Sequence, residues 1–206
     1  MEIKERIQQK ANDLFRRYGV KSITMDEIAT QVGASKKTIY QYFSDKDELV
    51  EAVVKHTIDF AQKTCDDNRD RSKDAVDELF QAMDFIQQIF SDMNPAMMYD
   101  LERFHPQSYK VFLDHKNKYL FDAIKTNLKR GIDEELYRSE INIDIIAKFR
   151  LEGMMIAFNQ DVYPASKFNL GELQTSLIEH FLFGVASLKG YKLILKYQQE
   201  RIKVNR

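Results

Sequence analysis

An all-α fold is predicted by three features of the sequence. Seven Gly and three Pro in 206 residues are too few breakers for a turn-rich β protein. Apolar residues recur at three- and four-residue steps along most of the chain. No pair of alternating segments flanks a hairpin turn. The 44% apolar content supplies a sizeable core, and the 31% charged content suits a water-facing surface.

The first helix is predicted at Ile3–Tyr18, where Ile7, Ala11, Leu14 and Phe15 share a face and Gly19 supplies a left-handed cap. Thr24-Met25-Asp26-Glu27 is a capping box that opens a short second helix, with Ile28, Ala29 and Val32 inward. Gly33-Ala34 breaks it, and Ser35 caps a third helix from Lys36 to Phe43. Ser44-Asp45-Lys46-Asp47 reads as a second capping box, opening a long helix towards Cys65. Two short helices joined by a three-residue turn containing Gly form a helix-turn-helix. Beyond them, Asp66 to Ser72 is polar and predicted to be a loop. Helices follow at about 73–92, 95–104, 107–131, 143–160, 170–188 and 191–203, broken before Pro95, Pro106 and Pro164.

In the third helix, Ile39 and Phe43 share one face and should pack on the second. Lys36, Lys37, Thr38, Tyr40 and Gln41 then point outward. Ammonium and hydroxyl groups suit phosphate, and Lys, Thr and Gln suit base edges. Residues 1–43 carry eight Lys/Arg against five Asp/Glu, and the remainder carries 23 against 27. A basic front on an acidic body fits a nucleic-acid partner.

Tyr18-Gly19, Thr24-Met25-Asp26-Glu27-Ile28-Ala29, Val32-Gly33-Ala34-Ser35, Thr38-Ile39-Tyr40-Gln41-Tyr42-Phe43 and Lys46-Asp47-Glu48-Leu49 carry a family resemblance. Residues 7–50 resemble the DNA-binding domain of the TetR (tetracycline-repressor) family of bacterial regulators. The resemblance implies a DNA-binding unit at residues 1–47 and a helical effector-binding and dimerisation bundle at 48–206. It implies phosphate contacts from Thr24, Tyr40, Tyr42 and Lys46, and base reading by Lys36, Lys37, Thr38 and Gln41. Met25 and Ser35 complete the expected DNA-contacting set. The expected partners are a pseudo-palindromic operator in double-stranded DNA, a second copy of the chain, and a small apolar or amphipathic effector, with repression as the outcome.

The segment Leu177–Leu188 is apolar nearly all round, so it should bury more than one side. A dimer interface is expected at Phe149, Gly153, Ala157, Leu177, Phe181, Gly184 and Leu188. Large adaptable side chains crowd the middle helices, Met93, Tyr99, Tyr109 and Tyr119 among them. An effector pocket is expected at Phe85, Phe90, Met97, Met98, Leu101, Phe104, Phe112, Phe121, Met155 and Phe158.

No cofactor or metal is expected, and no catalytic residue. Glu102-Arg103-Phe104-His105 matches one half of a di-iron motif, but the second Glu-x-x-His is missing. Nucleophile-elbow, Walker and dinucleotide motifs are also missing. Cys65 is the single cysteine, the chain opens on charged residues, and no apolar run approaches a membrane span. A cytoplasmic location without a membrane partner is therefore expected. The rival reading is an effector-independent dimeric DNA-binding protein with a structural or protein-docking role.

Overall fold

The computed structural model describes the backbone of residues 2–204 and the side chains of residues 2–202. Four helices build the head: α1 (Ile3–Tyr18), α2 (Met25–Val32), α3 (Lys36–Tyr42) and the first turns of α4 (Lys46–Arg71). Ile7, Ala11 and Phe15 of α1 meet Ile28, Ala29 and Val32 of α2, Ile39 and Phe43 at α3, and Leu49, Val50 and Val53 of α4. Full burial of a side chain such as Phe15 or Leu49 contributes roughly 1.5–3 kcal/mol, enough to fix three short helices that would not persist alone.

The local signals around α2 and α3 act as their residue types require. Thr24 Oγ1 accepts the Glu27 N–H at 3.2 Å, and the Glu27 carboxylate accepts the Thr24 N–H at 2.7 Å. Gly33 takes the left-handed conformation (φ 71°, ψ 35°) that ends α2, and Ser35 Oγ accepts the Thr38 N–H at 3.1 Å. Gly19 departs from the expected left-handed cap. Its φ is 83° but its ψ is 154°, an extended turn open chiefly to glycine. A Cβ there would lie 2.9 Å from Asp100 Oδ2, the oxygen that accepts the Lys21 N–H at 2.8 Å.

At α4 the capping residue is Asp45, one position later than the sequence suggests. Its carboxylate accepts the Glu48 N–H at 2.8 Å, while the longer Glu48 side chain reaches back to the Ser44 N–H at 2.7 Å. The expected loop at 66–72 is also corrected, because α4 continues to Arg71. Tyr119 bonds Asp66 at 2.9 Å, and Arg130 donates to Ser72 Oγ at 2.6 Å and to Ser72 O at 3.1 Å. Side chains from a distant helix thus satisfy the end of a segment whose own composition favours water.

The body follows with α5 (Ala75–Phe90), α6 (Ala96–Phe104), α7 (Pro106–His115), a π turn (Lys116–Leu120), α8 (Phe121–Asp133), α9 (Ile143–Ile156), α10 (Leu170–Val185) and α11 (Leu188–Val204). The π turn interrupts the helix expected at 107–131. It carries Lys116 inward, where the ammonium meets Glu152 at 3.1 Å. α11 begins three residues earlier than expected because the turn before it is stapled. Arg138 N–H donates to Val185 O, and Ser187 N–H donates to Leu136 O, both at 2.9 Å. A distal apolar cluster joins α5, α8, α10 and α11 around Leu128, Ile178, Leu182 and Ile194. The head cluster is separate and takes in Met97, Met98 and Leu101 of α6.

Head and body are tied at their junction. The Asn94 N–H donates to Arg16 O at 2.7 Å, Arg16 donates to Ile89 O, and His105 Nδ1 lies 2.5 Å from Asp47 Oδ1.

Candidate nucleic-acid interface

Helix α3 is seven residues long, and its inward side is spent on Ile39, with Phe43 following. Lys36, Lys37, Tyr40, Gln41 and Tyr42 are consequently exposed, and Thr38 is half-buried with its hydroxyl 2.8 Å from Ser35 Oγ. Two of the exposed groups are aromatic rings, Tyr40 at 42% and Tyr42 at 38% exposure. Large rings left in water on a basic turn mark a surface that awaits a partner.

The start of α2 faces this turn across a cleft of about 280 Å³. Thr24, Lys36, Tyr40 and Lys46 all line it. Lys36 is held there by Asp26, 2.8 Å away, whose hydrogen bond and charge raise the ammonium above its ordinary pKa. Lys46 is half-buried and donates to Val20 O at 2.7 Å. Burial pulls its pKa down, opposed by Asp100, Asp47 and Glu27. Lys21 lines the same cleft and was not singled out in the sequence, although it stands in the loop directly before the α2 cap. Its ammonium also sits 4.8 Å from the Phe104 ring centroid. Three ammonium groups, two hydroxyls and the free N–H groups of a helix start can receive an anion the size of a phosphate.

Of the expected DNA-contacting set, Met25 is the most enclosed: it is 7% exposed and packs in the head core, and it also lines the cleft beside Thr24. The other nine lie on the head's surface around α3 and the α2 start.

The expected effector residues do not converge on one site. Met97, Met98 and Leu101 are buried at the head–body junction, with Phe112, Met155 and Phe158 packed against them. Phe121 packs on the distal cluster instead. Phe85 faces Phe60, and Phe90 meets Phe158 edge-on with centroids 5.7 Å apart. Phe104 is 41% exposed beneath Lys21, so it is corrected from pocket to surface. Glu102 is exposed and His105 is turned to Asp47, so the Glu-x-x-His spacing does not bring its two side chains to a common centre.

Along α9 and α10 the outward stripe is apolar. Phe149 is 64% exposed, Gly184 is exposed, and Leu177 and Gly153 line a groove of about 750 Å³; Leu188, the first residue of α11, is 86% exposed. Ile145 (65%) and Ile156 (44%) extend this stripe by one turn at each end. Steps of four and three residues from Phe149 could have revealed them in the sequence. Ala157 and Phe181, expected in the same stripe, are corrected: they are 1% and 6% exposed and face the chain's own interior. On the helical wheel Phe181 lies roughly 40–60° from Leu177 and Gly184, and Ala157 roughly 80° from Phe149, on the side turned to the chain's own core.

Among the described residues, no helix is long and apolar enough to cross a membrane.

Residues 7–53 match the family model described as bacterial regulatory proteins, tetR family. The chain is 25% identical over 167 residues to the uncharacterized HTH-type transcriptional regulator YvaF of Bacillus subtilis, a match spanning 81% of this chain and 87% of that one. It is 39% identical over 84 residues to the HTH-type transcriptional activator FasR of Mycolicibacterium smegmatis, 37% of each chain. A TetR-family transcriptional regulator from Agrobacterium tumefaciens shares the fold with a TM-score of 0.75 at 17% identity, covering 90% of this chain and 98% of that one. Head, fold and relatives agree: residues 7–53 carry the DNA-binding domain of bacterial regulators of the tetR family, and the chain as a whole is similar to transcriptional regulators built on that head.

Proposed function

We propose that the chain acts as a dimeric repressor that leaves a pseudo-palindromic operator when a small apolar or amphipathic effector enters its body. The exposed, basic and aromatic surface of α3 carries this reading. In it, residues 1–47 contact DNA, with Lys36, Lys37, Thr38 and Gln41 reading bases and Thr24, Tyr40, Tyr42 and Lys46 positioning the head on phosphates. Residues 48–206 hold the second copy and the effector, although α4 gives its first turns to the head core.

The apolar stripe on α9 and α10 supports a symmetric pairing of two chains, since a patch this apolar on a water-facing surface needs cover. Two copies so paired would present two α3 helices to half-sites one helical turn apart. The ties at Arg16, Lys21 and Asp47 support a coupling between body and head. An effector that moves α6 would alter the spacing of the heads, and roughly 1–3 kcal/mol of coupling lowers DNA affinity about 5- to 150-fold.

Selection of bound sequences from random duplex DNA with the purified chain tests the reading. A two-fold symmetric consensus is expected. Its affinity should fall roughly 10³- to 10⁵-fold between 50 and 200 mM salt if six to ten phosphates are neutralised. Failure to retain any duplex at low salt would remove the reading. One relative sharing the head is named an activator, so a reporter driven by the selected site decides the direction of control.

A further inference from the structure

The loop that leads into α2 is held by a helix of the body. Asp100 of α6 is 6% exposed, and its Oδ2 accepts the Lys21 N–H at 2.8 Å. Gly19 passes directly against that oxygen with a positive φ of 83°, so the close approach needs a residue without a Cβ. Between them, Val20 is fully buried, and its carbonyl accepts Lys46 Nζ at 2.7 Å. The Asp100 carboxylate also bears electrostatically on Lys46. One buried anion of the body therefore fixes the loop through Gly19 and Lys21, and Lys46 through Val20.

The side chain of Lys21 is held by the same helix. Lys21 is exposed, and its ammonium stands 4.8 Å from the centroid of Phe104, a ring that is itself 41% exposed. Lysine has a long, flexible stem that is costly to order on an anion. A ring face beneath the ammonium lowers that cost and leaves the far side of the ammonium open to solvent.

The open side meets the cleft lined by Thr24, Lys36, Tyr40 and Lys46. Its three cations are engaged differently. Lys36 is paired with Asp26, Lys46 gives a proton to Val20 O, and the Lys21 ammonium rests on a ring. A ring neutralises no charge, so Lys21 brings its charge to the cleft uncompensated by that contact.

We propose that α6 is part of the DNA-contacting surface: Lys21 is a further phosphate contact, and Asp100 and Phe104 are the positioning residues that hold it and the start of α2 against the duplex backbone. The proposal rests on the DNA reading above, which confines the contacts to residues 1–47, and adds two residues of the body to it. Phosphate contacts carry no base information, so the role of Lys21 is affinity and register. A displacement of α6 from α1 would move Lys21, Thr24 and Lys46 together, because the loop and Lys46 hang on the same carboxylate.

The test is the salt dependence of duplex binding by the full chain, measured on short random-sequence duplexes and on the selected site. Each lysine–phosphate contact contributes about 0.9 to the slope of log K against log salt. Lys21→Gln should flatten that slope by about 0.9 for each Lys21 engaged, so its deficit should be about threefold larger at 50 mM than at 200 mM salt. Lys21→Arg keeps the charge and should restore the slope. Phe104→Leu keeps an apolar side chain without a ring face and should bind about two- to fivefold more weakly at an unchanged slope. Asp100→Ala should bind roughly tenfold more weakly, and Asp100→Asn, which keeps an acceptor for the Lys21 N–H, should recover most of that loss. A purely structural Asp100 would lower the melting temperature and leave the affinity of the folded chain alone, so melts accompany each variant. A wild-type slope in Lys21→Gln, or wild-type affinity in Asp100→Ala, would overturn the proposal. If Asp100→Ala does not fold, Lys21→Gln and Phe104→Leu, both at exposed positions, decide it. A changed consensus in Lys21→Gln would place Lys21 on a base and reject the phosphate role. Tyr40→Ala separates the two ideas. Lost binding there beside a wild-type slope in Lys21→Gln removes the role of α6 and keeps the DNA reading, whereas a wild-type chain that retains no duplex removes both.

Discussion

Replacing Phe149 with Ala tests the pairing surface directly. Phe149 is 64% exposed on a single chain. A Phe side chain can bury about 200 Å², so roughly 130 Å² per copy and roughly 260 Å² per symmetric dimer remain to be covered. At about 25 cal/mol per Å² this is roughly 6 kcal/mol for complete burial. Truncation to Ala keeps the Cβ, and burial at an interface is incomplete, so roughly 3–4 kcal/mol should be lost. The dimer dissociation constant should then rise roughly 10²- to 10³-fold. Sedimentation equilibrium over a range of concentrations measures it, and circular dichroism of the variant should show unchanged helix content. Phe60 of α4, 57% exposed but away from the stripe, is the control: Phe60→Ala should leave the dimer intact. Equal effects of the two substitutions, or a dissociation constant for Phe149→Ala within threefold of wild type, would refute the assignment of α9 and α10 as the interface.

Three further outcomes are expected. Tyr40→Ala should weaken binding to every duplex, whereas Lys37→Ala and Gln41→Ala should change preference at particular bases, as read by competition between single-substituted sites. Acid should loosen the head. Glu27 is held below its ordinary pKa by the Thr24 N–H and hydroxyl, and Glu48 by the Ser44 N–H and hydroxyl. A lowered carboxylate pKa stabilises above the unfolded value and loses that contribution as pH falls through the folded one. Thermal melts from pH 6 to 3 should therefore fall less steeply in Glu27→Gln/Glu48→Gln than in wild type. Burial pushes the Cys65 thiol up to about 11, so at pH 8 a thiol reagent should label the native chain roughly 100-fold more slowly than a free thiol of ordinary pKa.

What the sequence determined by itself was local. Thr24 with Glu27, Ser35 with Thr38 and the left-handed Gly33 act within one helical turn of themselves, so their residue types decide the outcome wherever the chain goes. With Ile39 and Phe43 inward, the exposed surface of α3 follows from the period of the helix alone. Tertiary structure decided what depends on distant groups. Asp66 to Arg71 is helical because Tyr119 and Arg130, 53 and 58 residues further on, bond to that stretch and to Ser72. Phe181 faces inward and Gly184 outward because packing on α5 selects one of two apolar sides of α10, and composition cannot rank them. Arg150 reads in the sequence as one more cation on an amphipathic helix. Only the packed seam shows that most of its side chain is covered, with the guanidinium 6.0 Å from the Phe181 ring centroid, since burial is a property of neighbours in space.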